Sequence, residues 1–432
     1  MLVVLWLVYS MNANATNIIF STSTLTADDF SLSPGQLGLI IGLFMCARGM
    51  MAPVLSTWVD RGGQGWARKY RQLTVASVYL GTCFLAGINW ISGALAGFLA
   101  ISLVRYFAVG VGEVIEVTAV SEWWPRNRRG FAQGAHHTGF PWGTFLGSQV
   151  IALILASTNN NWRMAYLVFP VTALPFLALY WFTSTRQRYA MVVDFARTQN
   201  AEMALGEDAG DTKAAPGAFG RALRNPNVHF GALASGLQIA MYWGVSTWIP
   251  LYLVDIGNYT AAAAAAAAFL FTLTGGLGQI VWGAVSDKLG RKTIMIFCCV
   301  WLAVAVELLQ FTTASTFALV FFQLVFGVCS NAVFPILYAW GADSAEHGTV
   351  GISNSLQLFY QGLGALMPLL IGVMISAGGG YHSFAGYGWS LHLMAGTEVI
   401  CLFIITFLMR ETTGKRRGRD FGVFSTAKCN IT

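Results

Sequence analysis

Four charged residues stand inside long apolar stretches in the first half of this chain, Arg48, Arg105, Glu113 and Glu116, and Glu307 and Glu398 fall in apolar context in the second half. A charge near the centre of a bilayer costs at least ~2.5 kcal/mol, so each needs a partner, a water-filled cavity or a charged cargo. Arg105 and Glu116 are eleven residues apart, about three helical turns, and share one helix face, with Glu113 within a quadrant of both. That spacing suits a proton-titrating acid near an anion-binding guanidinium; an internal ion pair that only fixes helix packing is the alternative. Arg48 has no acid within a turn, so its counter-charge lies on another helix or in the cargo. A guanidinium makes two parallel hydrogen bonds to a carboxylate, which favours anion binding, and a bridge to Glu113 or Glu116 is the close rival. Of the two acids, Glu113 is nearer the midplane and is the expected proton carrier, with Glu116 as its structural or coupling neighbour.

Other polar groups align by helical spacing. Gln238 and Tyr242 are four residues apart, Asn354, Gln357 and Gln361 repeat at three and four with Tyr360 alongside, and Asn14 and Asn17 share a face. Facing inward, Asn14, Gln238, Tyr242, Asn354, Gln357 and Gln361 would suit the hydroxyls of a sugar-like acid, with Trp243 and Tyr360 as apolar walls. Hydrogen bonding between helices is the plainer reading of any one of them. His136 and His137, near the start of a span, titrate near neutrality and suit either proton release or packing.

The elements that must position these residues follow from composition. Of 432 residues, 56% are hydrophobic and only 10% charged, against roughly a quarter charged in soluble domains, and the mean hydropathy is +0.59. A helix needs about 20 mostly apolar residues to cross ~30 Å of hydrocarbon. Twelve such runs are legible. The first six are 2–25, 36–58, 73–90, 96–120, 131–156 and 164–182; the second six are 228–254, 261–285, 293–311, 317–340, 350–377 and 389–409. The opening apolar run superficially looks like a secretory signal, but it has no basic start and continues past Asn12 to Ala15, so it reads as a retained first span within which the chain begins.

Apart from Arg48, Arg105 and Arg163, every Lys and Arg falls in an even-numbered connection or in the tail. The positive-inside rule then puts both termini in the cytoplasm; a bacterial inner membrane is the expected location. The net charge of +6 is this bias, and no nucleic-acid partner is called for. The expected organisation is an N-terminal six-helix bundle over 1–184, a polar cytoplasmic linker over 185–227, a C-terminal six-helix bundle over 228–410 and a cytoplasmic tail over 411–432. The seven cysteines lie mostly within spans without metal-ligand spacing and read as reduced, small apolar residues.

Gly283, Asp287, Lys288, Gly290, Arg291 and Lys292 form a short charged connection between two spans of the second half, echoed in the first half by Asp60, Arg61 and Gly63. Glycine allows a tight turn, and an acid among bases at a helix end can make contacts that differ between conformations, so Asp60, Arg61, Gly283, Asp287, Lys288, Gly290, Arg291 and Lys292 are expected to gate. This repeated connection, with twelve spans in two halves, resembles the major facilitator superfamily over essentially the whole chain. Ser56 replaces the leading glycine of the first copy, and Gln64 to Ala67 separate Gly63 from Arg68-Lys69, which implies a looser first connection. Arg105 to Glu113, and Glu122 to Gly130 leading into the fifth span, are similar to the anion:cation symporter branch, carriers of sugar acids, phthalates and other organic carboxylates. The match departs at two places: Arg105 and Glu113 stand one residue further apart, and Met11-Asn12 replaces an expected Asp-Arg pair, whose roles therefore do not transfer.

There is no phosphate-binding loop, nucleophile elbow or metal-binding His-Glu helix in the sequence. The reading is an all-α membrane protein of twelve transmembrane helices, not an enzyme, without cofactor or metal. It is expected to work as a monomer, rocking two halves around a midplane site and moving a small organic anion, a carboxylate or sugar acid, together with protons. An exchanger of organic anions or sugar phosphates would use the same arginines without a titrating acid, and a receptor that binds without transport is the alternative of a different class.

Overall fold

The computed structural model describes residues 1–61, 71–124, 129–199, 217–345 and 350–412. Arg68, Lys69, Pro125 to Arg128, the linker segment 200–216 and the tail from 413 lie outside the described residues.

In a bilayer every backbone polar group must be satisfied internally, so an apolar chain of this kind folds as helices. In order these are α1 (Leu2–Ser21), α2 (Ser23–Asp29), α3 (Pro34–Arg61), α4 (Arg71–Ile91), α5 (Leu95–Trp123), α6 (Arg129–His137), α7 (Gly139–Ser157), α8 (Arg163–Thr183), α9 (Arg186–Thr198) and α10 (Ala218–Arg224). The second half holds α11 (Pro226–Asp255), α12 (Ala261–Ala267), α13 (Phe271–Leu289), α14 (Arg291–Leu308), a 3₁₀ turn (Leu309–Thr313), α15 (Thr316–Ser330), α16 (Val333–Ser344), α17 (Val350–Gly364), α18 (Met367–Ala377), α19 (Phe384–Phe403) and a π turn (Ile404–Leu408). Together they make twelve membrane passes, ten of them apolar enough by length and composition alone; α3 and α11, of 28 and 30 residues, are the other two.

Several expected continuous spans are jointed, and proline accounts for three of the joints. A proline inside a helix removes one N–H and clashes with the carbonyl four residues earlier. Pro141 lies four residues after His137, where α6 ends; Pro335 lies four after Asn331, just past α15; Pro368 lies four after Gly364, where α17 ends. Pro170 and Pro175 are accommodated within α8 and Pro250 within α11. The polar linker contains α9 and α10, the first capped by Thr185 accepting from the Arg188 amide.

Within the first half α1 packs on α7 and α8, and α4 on α5 and α8; within the second, α11 packs on α17, α13 on α15 and α14 on α19. The halves meet through α3 against α17 and α18, and α7 against α12 and α13. At the face opposite the termini they are tied together: Tyr381 donates to the Leu32 carbonyl (3.1 Å), the Gly35 amide to Ser376 Oγ (3.1 Å), and Gln149 to the Ala266 carbonyl (2.8 Å).

Candidate functional site

Arg48 on α3 and Glu113 on α5 form an ion pair, Nη2 to Oε2, at 2.7 Å. The pair requires α3 and α5 to cross closely at Gly110, where an added Cβ would lie 2.1 Å from the Arg48 carbonyl oxygen. Tyr9 of α1 donates to the other Glu113 oxygen at 3.0 Å. Of the two partners expected for Arg48, the rival one is therefore formed: its counter-charge is Glu113. The pair is partly exposed, 11% for the Arg48 side chain and 28% for Glu113, so water or a small solute can reach it.

The aromatic surroundings join the two halves. The Arg48 guanidinium lies 5.2 Å from the ring of Phe140 on α7 and 5.7 Å from that of Trp243 on α11. Trp243 in turn stacks parallel on Phe20 of α1 at 5.3 Å. A cation over aromatic faces is attracted by about 0.5–2 kcal/mol per contact, so the rings hold the guanidinium in place while leaving its carboxylate-binding edge to Glu113.

Glu116, although on the same helix, belongs to a different pocket. It is fully buried beside His136, with Nε2 to Oε2 at 4.0 Å, and His136 stacks on Tyr9 at 4.5 Å. Tyr79 of α4 also faces Glu116, and neither His136 nitrogen has a hydrogen-bond partner among the described residues. Tyr9 thus stands between the two acids, bonded to one and stacked on the histidine beside the other. Arg105 is also fully buried; it donates to the Ala15 carbonyl (2.6 Å) and lies over Tyr106 (4.4 Å) and Tyr166 (5.3 Å), while its Nε and Nη2 have no partner among the described residues.

The polar residues expected to meet cargo hydroxyls are largely engaged elsewhere. Gln238 is turned into the second bundle, donating to Glu398 at 2.7 Å. Gln357 donates to the Leu337 carbonyl, and Gln361 to Ser235 Oγ and Tyr338. Asn14 faces Gly147 of α7, Asn17 donates to Ser21 Oγ, and Tyr360 packs against His229. The Tyr242 hydroxyl and Asn354 Oδ1 are buried without a partner among the described residues.

Gly290 has φ of 103°, the left-handed region that glycine favours, and begins the turn into α14. Arg291 bridges to Asp287 (3.2 Å) and Asp343 (2.6 Å). Glu411 caps α14, accepting from the backbone amides of Arg291 (3.1 Å) and Lys292 (3.0 Å), a favourable place for an anion at a helix N-terminus. Lys292 Nζ donates to the Met409 carbonyl, Lys288 is exposed, and Gly283 has open space around it. Asp60 and Arg61 close α3, and their side chains lie outside the described residues. Sequence reasoning missed Asp343 and Glu411, although both are acids at the end of an apolar run on the side of the basic hinge. It also missed Tyr9, Phe20 and Phe140, for which apolar sequence gives no signal.

The sequence profile of the Major Facilitator Superfamily matches residues 5–273 and 256–427. The chain is 23% identical to the hexuronate transporter of Bacillus subtilis over 91% of its length and 90% of that protein's. It is 23% identical to the cis,cis-muconate transport protein of Acinetobacter baylyi, covering 91% and 89%, and 22% identical to the phosphoglycerate transporter protein of Salmonella typhimurium, covering 94% and 87%. Among solved structures it superposes on the partially occluded inward-open xylose transporter XylE of E. coli with a TM-score of 0.68 at 14% identity, over 96% and 98% of the two chains. A bacterial homologue of the human lysosomal transporter Spinster gives 0.67 at 15%, over 94% and 95%.

Proposed function

Because this chain belongs to the Major Facilitator Superfamily and is a multi-pass membrane transporter of a small molecule, we propose that its cargo is a small organic carboxylate moved together with protons by alternating access. The observation that carries this reading is the Arg48–Glu113 pair, reachable from solvent and roofed by rings from both halves. A cargo carboxylate competes with Glu113 for the guanidinium. Once displaced, Glu113 has lost its counter-charge inside the membrane and takes up a proton from the water that reaches it, so one anion and one proton enter together and the net charge of the site is unchanged. Tyr9 holds the carboxyl in place throughout.

Arg105, whose Nε and Nη2 have no hydrogen-bond partner among the described residues, is the second proposed anchor, and Tyr242 and Asn354 supply free polar atoms. Phe20, Phe140 and Trp243 favour a planar, unsaturated cargo over a polyhydroxylated one, since the amides Gln238, Gln357 and Gln361 are engaged in protein contacts. Glu116 is proposed to exchange its proton with Glu113 by way of Tyr9 and His136. The hinge residues Asp60, Arg61, Gly283, Asp287, Lys288, Gly290, Arg291 and Lys292 are proposed to set the balance between open states. By the positive-inside rule the termini, the linker and this hinge are proposed to face the cytoplasm, and the protein is proposed to act as a monomer in a bacterial inner membrane.

A paired assay tests the coupling. In vesicles, Glu113→Gln should lose pH-driven accumulation of benzoate or glucuronate yet keep counterflow, because a neutral side chain mimics the protonated acid. Retained accumulation removes Glu113 from the mechanism; loss of both activities favours a purely structural pair. A second reading, exchange of phosphorylated anions, is supported by the match to the phosphoglycerate transporter protein and by Arg105 as a second cation; on it, counterflow would be saturable by phosphoglycerate and indifferent to pH.

A further inference from the structure

The second bundle holds a buried acid that the transport cycle above does not use. Glu398 on α19 is fully buried and has no ion pair among the described residues. Its Oε2 accepts from Gln238 Nε2 of α11 at 2.7 Å, whereas its Oε1 and the Oε1 of Gln238 are both buried without a partner. The titratable groups that face it are thiols: Cys298 and Cys299 of α14, Cys329 of α15 and Cys401 of α19. Cys299 and Cys401 also stand 3.6 and 3.4 Å from the Gln238 amide nitrogen.

As a carboxylate, Glu398 would be a charge within the membrane met only by the Gln238 amide and the weak thiol donor of Cys299, and its Oε1 and the Gln238 Oε1 would stand side by side as acceptors without a partner among the described residues. A single proton on Oε1 removes the charge and turns one orphan acceptor into a donor, which the neighbouring amide oxygen can accept. We propose that Glu398 is a proton-binding site of the second bundle, held as a neutral acid side by side with the Gln238 amide and separate from the Arg48–Glu113 pair. Gln238 lies four and five residues before Tyr242 and Trp243 on α11, so the helix that walls the cargo site also carries the amide that retains this proton. The two sites are therefore joined by one rigid segment.

Infrared spectroscopy of the purified protein at neutral pH tests this. The wild type minus Glu398→Gln difference spectrum should contain one protonated-carboxyl C=O stretch. The same band should move to higher frequency in Gln238→Leu, because the carbonyl oxygen Oε2 loses its amide donor. Glu398→Gln should melt close to the wild type, since a second amide can still pair with Gln238. A difference spectrum that shows a carboxylate band instead, or no carboxyl band at all, overturns the proposal. Should Glu398→Gln fail to fold, the Gln238→Leu shift decides alone: a protonated-carboxyl band that does not move overturns it.

Discussion

Arg48 and Glu113 sit on neighbouring helices of one half, 2.7 Å apart, yet the guanidinium is covered by Trp243 from the other half. Any movement between the halves changes the cover while leaving the pair intact, so access and charge balance are controlled by different residues. Arg48→Gln should weaken binding of benzoate at least about tenfold, equivalent to ~1.4 kcal/mol, in a thermal-shift titration. Unchanged binding would rule Arg48 out as the anion anchor.

Trp243→Ala should separate cargo shape from cargo charge. Loss of one stacking face is worth about 0.5–1.5 kcal/mol, so benzoate should bind three- to tenfold more weakly, by roughly that energy, while cyclohexanecarboxylate of equal charge changes little. Equal losses for both would show that the ring only fills space.

Gly110→Ala addresses how the pair is assembled. The new Cβ would sit 2.1 Å from a backbone oxygen, which cannot rotate away, so α3 and α5 must separate. Overpacking of this kind costs about 1–3 kcal/mol, and here it should also abolish transport by parting Arg48 from Glu113. Normal uptake together with lowered thermal stability would confine Gly110 to packing.

The hinge gives a conformational prediction. Glu411→Gln removes the charge that holds two backbone amides at the start of α14, and Asp287→Asn removes one of the carboxylates on Arg291. Both variants should alter the labelling of engineered thiols from the two sides of the membrane more than they alter benzoate affinity. An unchanged labelling pattern in a slow variant would place the defect elsewhere.

At the opposite face, burial lifts the Asp255 carboxyl to about 6, against the pull of the Tyr387 hydrogen bond and His382 and with the help of Asp28. A carboxyl whose pKa is raised on folding contributes stability that is fully present below its ordinary value near 4 and is lost as pH rises through about 6. The melting temperature should therefore rise as pH is lowered from about 7 to about 4, and Asp255→Asn should flatten that part of the profile.

The passes and the hinge were legible in the sequence because both depend on local composition: apolar runs of bilayer length, and glycine beside charges between them. Residues across helices were not. Helical spacing places Glu113 and Glu116 nearly on one face, but which neighbour each meets depends on where α1, α3 and α6 lie, and the structure gives Arg48 to one and His136 to the other. Gln238 shows the same limit: its spacing to Tyr242 is helical, yet its side chain turns to Glu398. The joints at Pro141, Pro335 and Pro368 had a local cause in the sequence, overlooked because hydrophobicity continues through them.

Those three joints divide the passes into two mechanical kinds. An unbroken helix such as α3 or α11 transmits a push at one end to the other, as a stiff rod does. A pass made of two short rods, such as α6 with α7, α15 with α16 or α17 with α18, can yield at its elbow so that one half moves while the other stays seated. Because α3 packs against both α17 and α18, a stiff rod lies along an elbowed one at the contact between halves, and the lower rod can lift off without first breaking the Gly35–Ser376 bond beside the upper rod.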